Sequence, residues 1–138
     1  MTFKQKMIFT GAAVTLFGAG AATTLMAEAA ATPPAYLIVN VAEVKDAKAF
    51  QAYSDGVGAT QEPYGGQVIV RAPATDLGSQ HGNWSGNVTP KGRIAVIKFP
   101  SMEKLKAWEG SPAYSKLRPI RENNTVGTLY AVEGLPPG

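Results

Sequence analysis

The chain has 138 residues, 45% of them hydrophobic and 17% charged, with one His and no Cys, which is the length and composition of one small globular domain. Without Cys there is no disulfide framework, thiol nucleophile, thiolate metal site or lipoprotein anchor, and a single His leaves no imidazole cluster for a metal. The formal charge of +3 is too small and too scattered to mark a nucleic-acid or anionic-lipid footprint.

Lys4 and Lys6 precede an uncharged stretch from Met7 to Met26, after which Ala27-Glu28-Ala29 and Ala29-Ala30-Ala31 both offer a small-x-small cleavage pattern. These features predict a signal peptide over residues 1–31, cut near 29–31, with a retained membrane anchor as the alternative. Either form places the single domain at 32–138 outside the cytoplasm, periplasmic or secreted. Cleavage removes two lysines and one glutamate, which takes the formal charge from +3 to +2.

The mature chain reads as two similar halves. Ala35 to Val44 is β-branched and aromatic and predicts a strand. Asp46 then stands as N-cap before Phe50, Tyr53 and Val57 at helical spacing. Tyr64-Gly65-Gly66 is a turn, and Gln67 to Ala72 a second strand ending before Pro73. A long polar connection from Ala72 to Gly92 follows. Arg93 to Phe99 is the third strand, and Pro100-Ser101 opens a helix through Met102, Leu105 and Trp108 that Gly110 interrupts. Ser111 with Pro112 restarts it through Tyr114 and Leu117 to about Ile120, and Gly127 to Glu133 is the last strand. The order βαββαβ predicts an α+β, ferredoxin-like fold, an antiparallel sheet with two helices on one face.

Alternation divides the sheet. Leu37, Val39 and Val41 are expected to face the helices. The open face is expected to receive Tyr36, Ile38 and Asn40, then Gln67, Ile69 and Arg71, then Ile94, Val96 and Lys98, and finally Thr128, Tyr130 and Val132. So apolar a face marks a partner or ligand surface, and the expectation is a homodimer whose open faces enclose a small-molecule cavity.

Several blocks resemble the domain of unknown function 1330 family: Tyr64-Gly65-Gly66 with Val68-Ile69-Val70-Arg71, Phe99-Pro100-Ser101 with Trp108, Ser111-Pro112-x-Tyr114 with Leu117, and Val132-Glu133-Gly134. The resemblance covers Ala35 to Gly134. It implies a dimeric α/β barrel, the architecture also used by cofactor-free monooxygenases, isomerases and dye peroxidases, and it implies no settled reaction. The leader and the length of the Ala72 to Gly92 connection depart from the family pattern.

Arg71 closes an apolar strand, where the resemblance also puts an arginine. It can hold a carboxylate or enolate through two parallel N–H donors, or form an ion pair with Glu43 or Glu133. Asn40 and Lys98 are expected close together, with the first and third strands as parallel neighbours, to orient a polar ligand group or to form a seam between subunits. His81 is the one side chain that ordinarily titrates near neutral pH, and it shares the long connection with Trp84, which either closes over a ligand or pins the loop. Arg71 and His81 are the catalytic candidates. Asn40, Arg71, Trp84, Lys98 and Tyr130 are the ligand-binding candidates. Lys116, Arg118 and Arg121 form a small basic patch at a helix end. RNA binding is set aside, because the third-strand positions that stack bases in RNA-binding relatives of this topology hold Arg93, Ala95 and Ile97. No cofactor and no metal is expected. The two readings are an exported binding protein and a cofactor-independent enzyme in which Arg71 stabilises negative charge while His81 or Tyr130 moves a proton.

Overall fold

A computed structural model describes residues 31–75 and 89–138; the leader, His81 and Trp84 lie outside the described residues. Strand β1 (Ala35–Val44) leads to helix α1 (Ala47–Gln61), a 3-10 turn (Glu62–Tyr64) and β2 (Gln67–Pro73). Strand β3 (Arg93–Phe99) is followed by α2 (Met102–Glu109), α3 (Pro112–Asn124) and β4 (Thr125–Glu133). Each helix starts where a short polar side chain satisfies an orphan amide. Asp46 accepts from Ala49 N at 2.9 Å, Ser101 from Lys104 N at 3.2 Å and Ser111 from Tyr114 N at 3.3 Å. Helix α3 runs past Ile120, carrying Pro119 on an exposed position, because Asn124 Nδ2 donates to Ile120 O (2.7 Å) and Thr125 Oγ1 to Arg121 O (2.8 Å). With those terminal carbonyls satisfied, β4 begins at once, two residues before the expected start.

The strand order is β2-β3-β1-β4 and every neighbouring pair is antiparallel, the ferredoxin-like arrangement. This corrects the expected parallel pairing of β1 with β3. The crossover through α1 makes β2 parallel to β1, and the reversal before β3 makes β3 antiparallel to both. Strand β2 also continues one residue further than expected, to Pro73. A proline is tolerated there because β2 is an edge strand and the residue is its last.

On the helix side, β1 presents Leu37 and β3 presents Ile97 and Phe99 to α2 and α3. Trp108, 1% exposed, is the centre of this core. Its ring lies 5.5 Å from that of Phe99 and 4.1 Å from that of Tyr114, both tilted. Its indole N–H donates to Thr60 Oγ1 at 2.9 Å, so the one polar atom of the ring is satisfied. Arg118 covers the outer side of Tyr114 at 5.3 Å and pairs with Glu109 at 2.7 Å. The aromatic cluster fills only one end of the space between sheet and helices.

Two irregularities shape the other end. The β1–β4 register shifts between Val41 and Glu43, and the β2–β3 register between Val68 and Val70. Val68 pairs with Ile97 and so faces the helices; after the shift Val70 pairs with Val96 and Arg71 with Ala95. A bulge adds one residue to one strand and exchanges the faces beyond it. Arg71, expected on the open face, therefore stands on the helix side.

Candidate ligand-binding site

Between the sheet and α1 lies a cavity of about 760 Å³. Its sheet wall is Leu37, Val39 and Val41 of β1, Ala95 and Ile97 of β3, and Leu129 of β4; Phe50, Tyr53 and Val57 of α1 form the opposite wall, and Trp108 closes the inner end. The aromatic core packs on Leu37, Ile97 and Phe99, and further along the same strands a space remains between Val39 and Ala95 and the facing Phe50 and Tyr53 of α1. It lies on the helix side of the protomer. This is the opposite side of the sheet from the open face, where pairing of two subunits was expected to enclose a cavity.

Three arginines line this cavity. Arg71 of β2 and Arg93 of β3 occupy the same face near one end of the sheet, with Arg71 opposite Ala95 and Arg93 opposite Pro73. Arg121 comes from α3; its Nη2 lies 3.2 Å from Glu122 Oε1, and its Nε is buried with no hydrogen-bond partner. The carboxylates of Glu43 and Asp55 also line the site, and Asp55 accepts from Gln51 Nε2 at 2.7 Å. Among the described residues the ion pairs are Arg118–Glu109 and Arg121–Glu122, so the anticipated pairing of Arg71 with Glu43 or Glu133 is not made there. The basic patch predicted at the end of α3 is divided: Arg118 caps the aromatic core, and Arg121 turns to the cavity.

Among the described residues Tyr53 carries the strongly perturbed ionisation. Burial pushes its phenol well above the usual 10.0; Tyr114 adds to the rise through charge and a hydrogen bond, and Arg121 works against it. The hydroxyl is therefore a neutral donor at physiological pH rather than a base. The raised value also predicts the alkaline behaviour of the fold. A phenol held protonated in the native state leaves stability unaffected below the unfolded value near 10.0. Stability then falls as pH rises above it, by up to about 1.4 kcal/mol per pH unit. Urea midpoints measured at stepped alkaline pH are expected to show this fall in the native protein and a shallower one in Tyr53→Phe.

The other sequence candidates do not meet Arg71. Asn40 lies on the open face opposite Ile94, and its Nδ2 donates to Lys91 O at 2.8 Å, which fastens the entry of β3 to β1. Lys98 pairs with Tyr36 at the far end of the strand. The antiparallel register thus separates Asn40 from Lys98 and corrects their expected proximity. Tyr130, 53% exposed, is on the open face, so the sheet stands between it and Arg71. The enzyme scheme pairing these two residues is not assembled within the protomer. His81 and Trp84 lie outside the described residues. Sequence reasoning missed Arg93 and Arg121 as cavity residues. Arg93 was legible, since it shares the parity of Ala95 and Ile97; Arg121 depended on how far α3 extended. Among the described residues no group of His, Asp and Glu is placed to hold a metal ion, and no helix is long and apolar enough to cross a membrane.

The family model for a domain of unknown function, DUF1330, matches residues 34–135. The chain belongs to this family. Among solved structures it is similar to the RPA0582 protein of unknown function from Rhodopseudomonas palustris, with 18% identity and a TM-score of 0.56 over 88% of this chain and 93% of that one. The methylated RPA0582 protein gives 19% identity and a TM-score of 0.54 over 89% and 92%. A conserved protein of unknown function from Bacteroides thetaiotaomicron, described as a possible oxidoreductase, gives 15% identity and a TM-score of 0.44 over 76% and 99%. No curated protein matches the chain. The likeness to the RPA0582 structures supports the ferredoxin-like fold of this DUF1330 member and is silent on its chemistry.

Proposed function

We propose that this DUF1330 protein is an exported homodimer that binds a small apolar molecule in the cavity between its sheet and α1. The cavity carries the reading. Its volume of about 760 Å³ falls within the roughly 300–1,000 Å³ typical of small-molecule sites, and its walls are aliphatic and aromatic with a few polar groups, the usual composition of such sites. Export rests on the leader. Dimerisation rests on the open face, where Val70, Tyr130 and Val132 are 41%, 53% and 41% exposed beside the half-buried Ile38 and Val96. An apolar sheet face of this kind is covered in a stable soluble protein. Pairing through it leaves each cavity within its own protomer, so binding and assembly are separable.

Native mass spectrometry of the protein recovered from its exported compartment tests all three statements. The expected result is a processed dimer with a reproducible retained mass. Ala95→Trp fills the cavity and is expected to abolish the retained mass while leaving the dimer. Ile38→Lys places a charge at the two-fold interface twice over, and is expected to give monomers that keep the mass. A retained mass that survives Ala95→Trp would remove the cavity from consideration.

A further inference from the structure

The β2 bulge delivers a guanidinium to the cavity, and the neighbouring strand supplies another. Arg71 and Arg93 are diagonal neighbours on one face: Arg71 pairs with Ala95, two residues along β3 from Arg93. Diagonal positions across a sheet stand about 7–8 Å apart at Cα, and like charges on adjacent strands repel. Two long guanidinium side chains at that spacing can converge on a single carboxylate, which turns the repulsion into paired charge-assisted hydrogen bonds. From Arg93 to Ile97 the cavity wall runs four residues, about 13 Å of strand, and changes from charged at one end to mainly apolar beside Trp108 at the other, where the buried Gln61 is a polar group. Arg121 also lines the cavity, and its Nε–H is buried without a hydrogen-bond partner. The cavity is thus graded, with cations toward one end of the sheet and mainly apolar side chains toward the other.

We infer that the ligand is an amphipathic carboxylate of the medium-chain fatty-acid class, its head held between Arg71 and Arg93 and its hydrocarbon chain directed along Val39 and Ala95 toward Leu37 and Trp108. This rests on the cavity being a binding site. Glu43 and Asp55, which also line the cavity, disfavour a ligand with several negative charges and suit one with a single anionic head.

Isothermal titration of the full chain with decanoate and with decanol, matched in chain length and differing in head charge, tests the inference. Decanoate is expected to bind at least tenfold more tightly than decanol. Arg71→Ala and Arg93→Ala, both at exposed positions, are each expected to weaken decanoate about tenfold and to leave decanol unchanged. The decanol affinity also reports that the variants keep their fold. Equal affinity for decanoate and decanol, or arginine variants that lose neither, would overturn the carboxylate assignment while leaving the apolar site in place. If neither compound binds, the cavity is not a site for apolar chains, and both readings fall together.

Discussion

Trp108→Ala is expected to lower folding stability by about 3–5 kcal/mol, the range found for removing large buried aromatic side chains. The ring is 1% exposed and lies between Phe99 and Tyr114, so its removal leaves a void whose walls belong to three different elements. Those walls cannot collapse together without moving β3 against α3. The substitution also deprives Thr60 Oγ1 of the indole donor, although that hydroxyl still donates to Val57 O at 2.7 Å. Against a total stability of roughly 5–15 kcal/mol for a domain, the variant is expected to populate unfolded chains under mild denaturant. Urea unfolding followed by far-ultraviolet circular dichroism measures the loss. Trp108→Phe, which keeps a ring in place, is expected to recover more than half of it. A loss below about 1.5 kcal/mol in Trp108→Ala would mean that the aromatic cluster is not the centre of the core.

Gly92→Ala is the second large effect, and its origin is the backbone. Gly92 has φ +78, and a Cβ placed there would sit 2.0 Å from Val41 O. The left-handed conformation alone costs a non-glycine residue about 1–3 kcal/mol. The clash adds to that, since its partner is strand backbone and has no rotamer to change. Relief requires β3 to part from β1 next to the Arg93–Val41 pair, close to the point where Asn40 holds Lys91 O. Arg93 moves with it, so the variant is expected to lose decanoate affinity as well as stability. Gly58→Ala provides the contrast. Gly58 is exposed in α1, and a Cβ added there would meet nothing within 4 Å. Alanine at this position is expected to stabilise by about 0.5–1 kcal/mol through helix propensity and reduced chain entropy. Thermal melts of the two variants side by side are expected to move in opposite directions.

The amino-acid order was a good guide wherever polar and apolar residues alternate cleanly or a cap marks a boundary. Leu37, Val39 and Val41 face the helices as expected, and so do Ala95 and Ile97 across from them. Asp46, Ser101 and Ser111 begin the three helices in the expected places. Strand β2 defeated the same reasoning. Val68, Ile69 and Val70 are three apolar residues in a row, so no polar position marks which side is wet, and the register shift inside the run leaves no trace in composition. Arg71 was therefore recognised as important but assigned to the wrong face. The proximity expected of Asn40 and Lys98 failed for a different reason, the direction of β3 relative to β1, which depends on how the crossover and the reversal combine.

Element types, caps, family membership and the faces of β1, β3 and β4 were all legible in the order of residues, because they follow from local backbone preference and from periodicity within one segment. Folding in three dimensions was needed to settle the β2 bulge, the side on which Arg71 stands, the arrival of Arg121 from α3 and the existence of the cavity. Those depend on which residue of a neighbouring strand each backbone amide meets, and on how far one end of the core can be filled by a fixed set of aromatic rings. Both are relations between segments distant in the chain, and neither has a local signature.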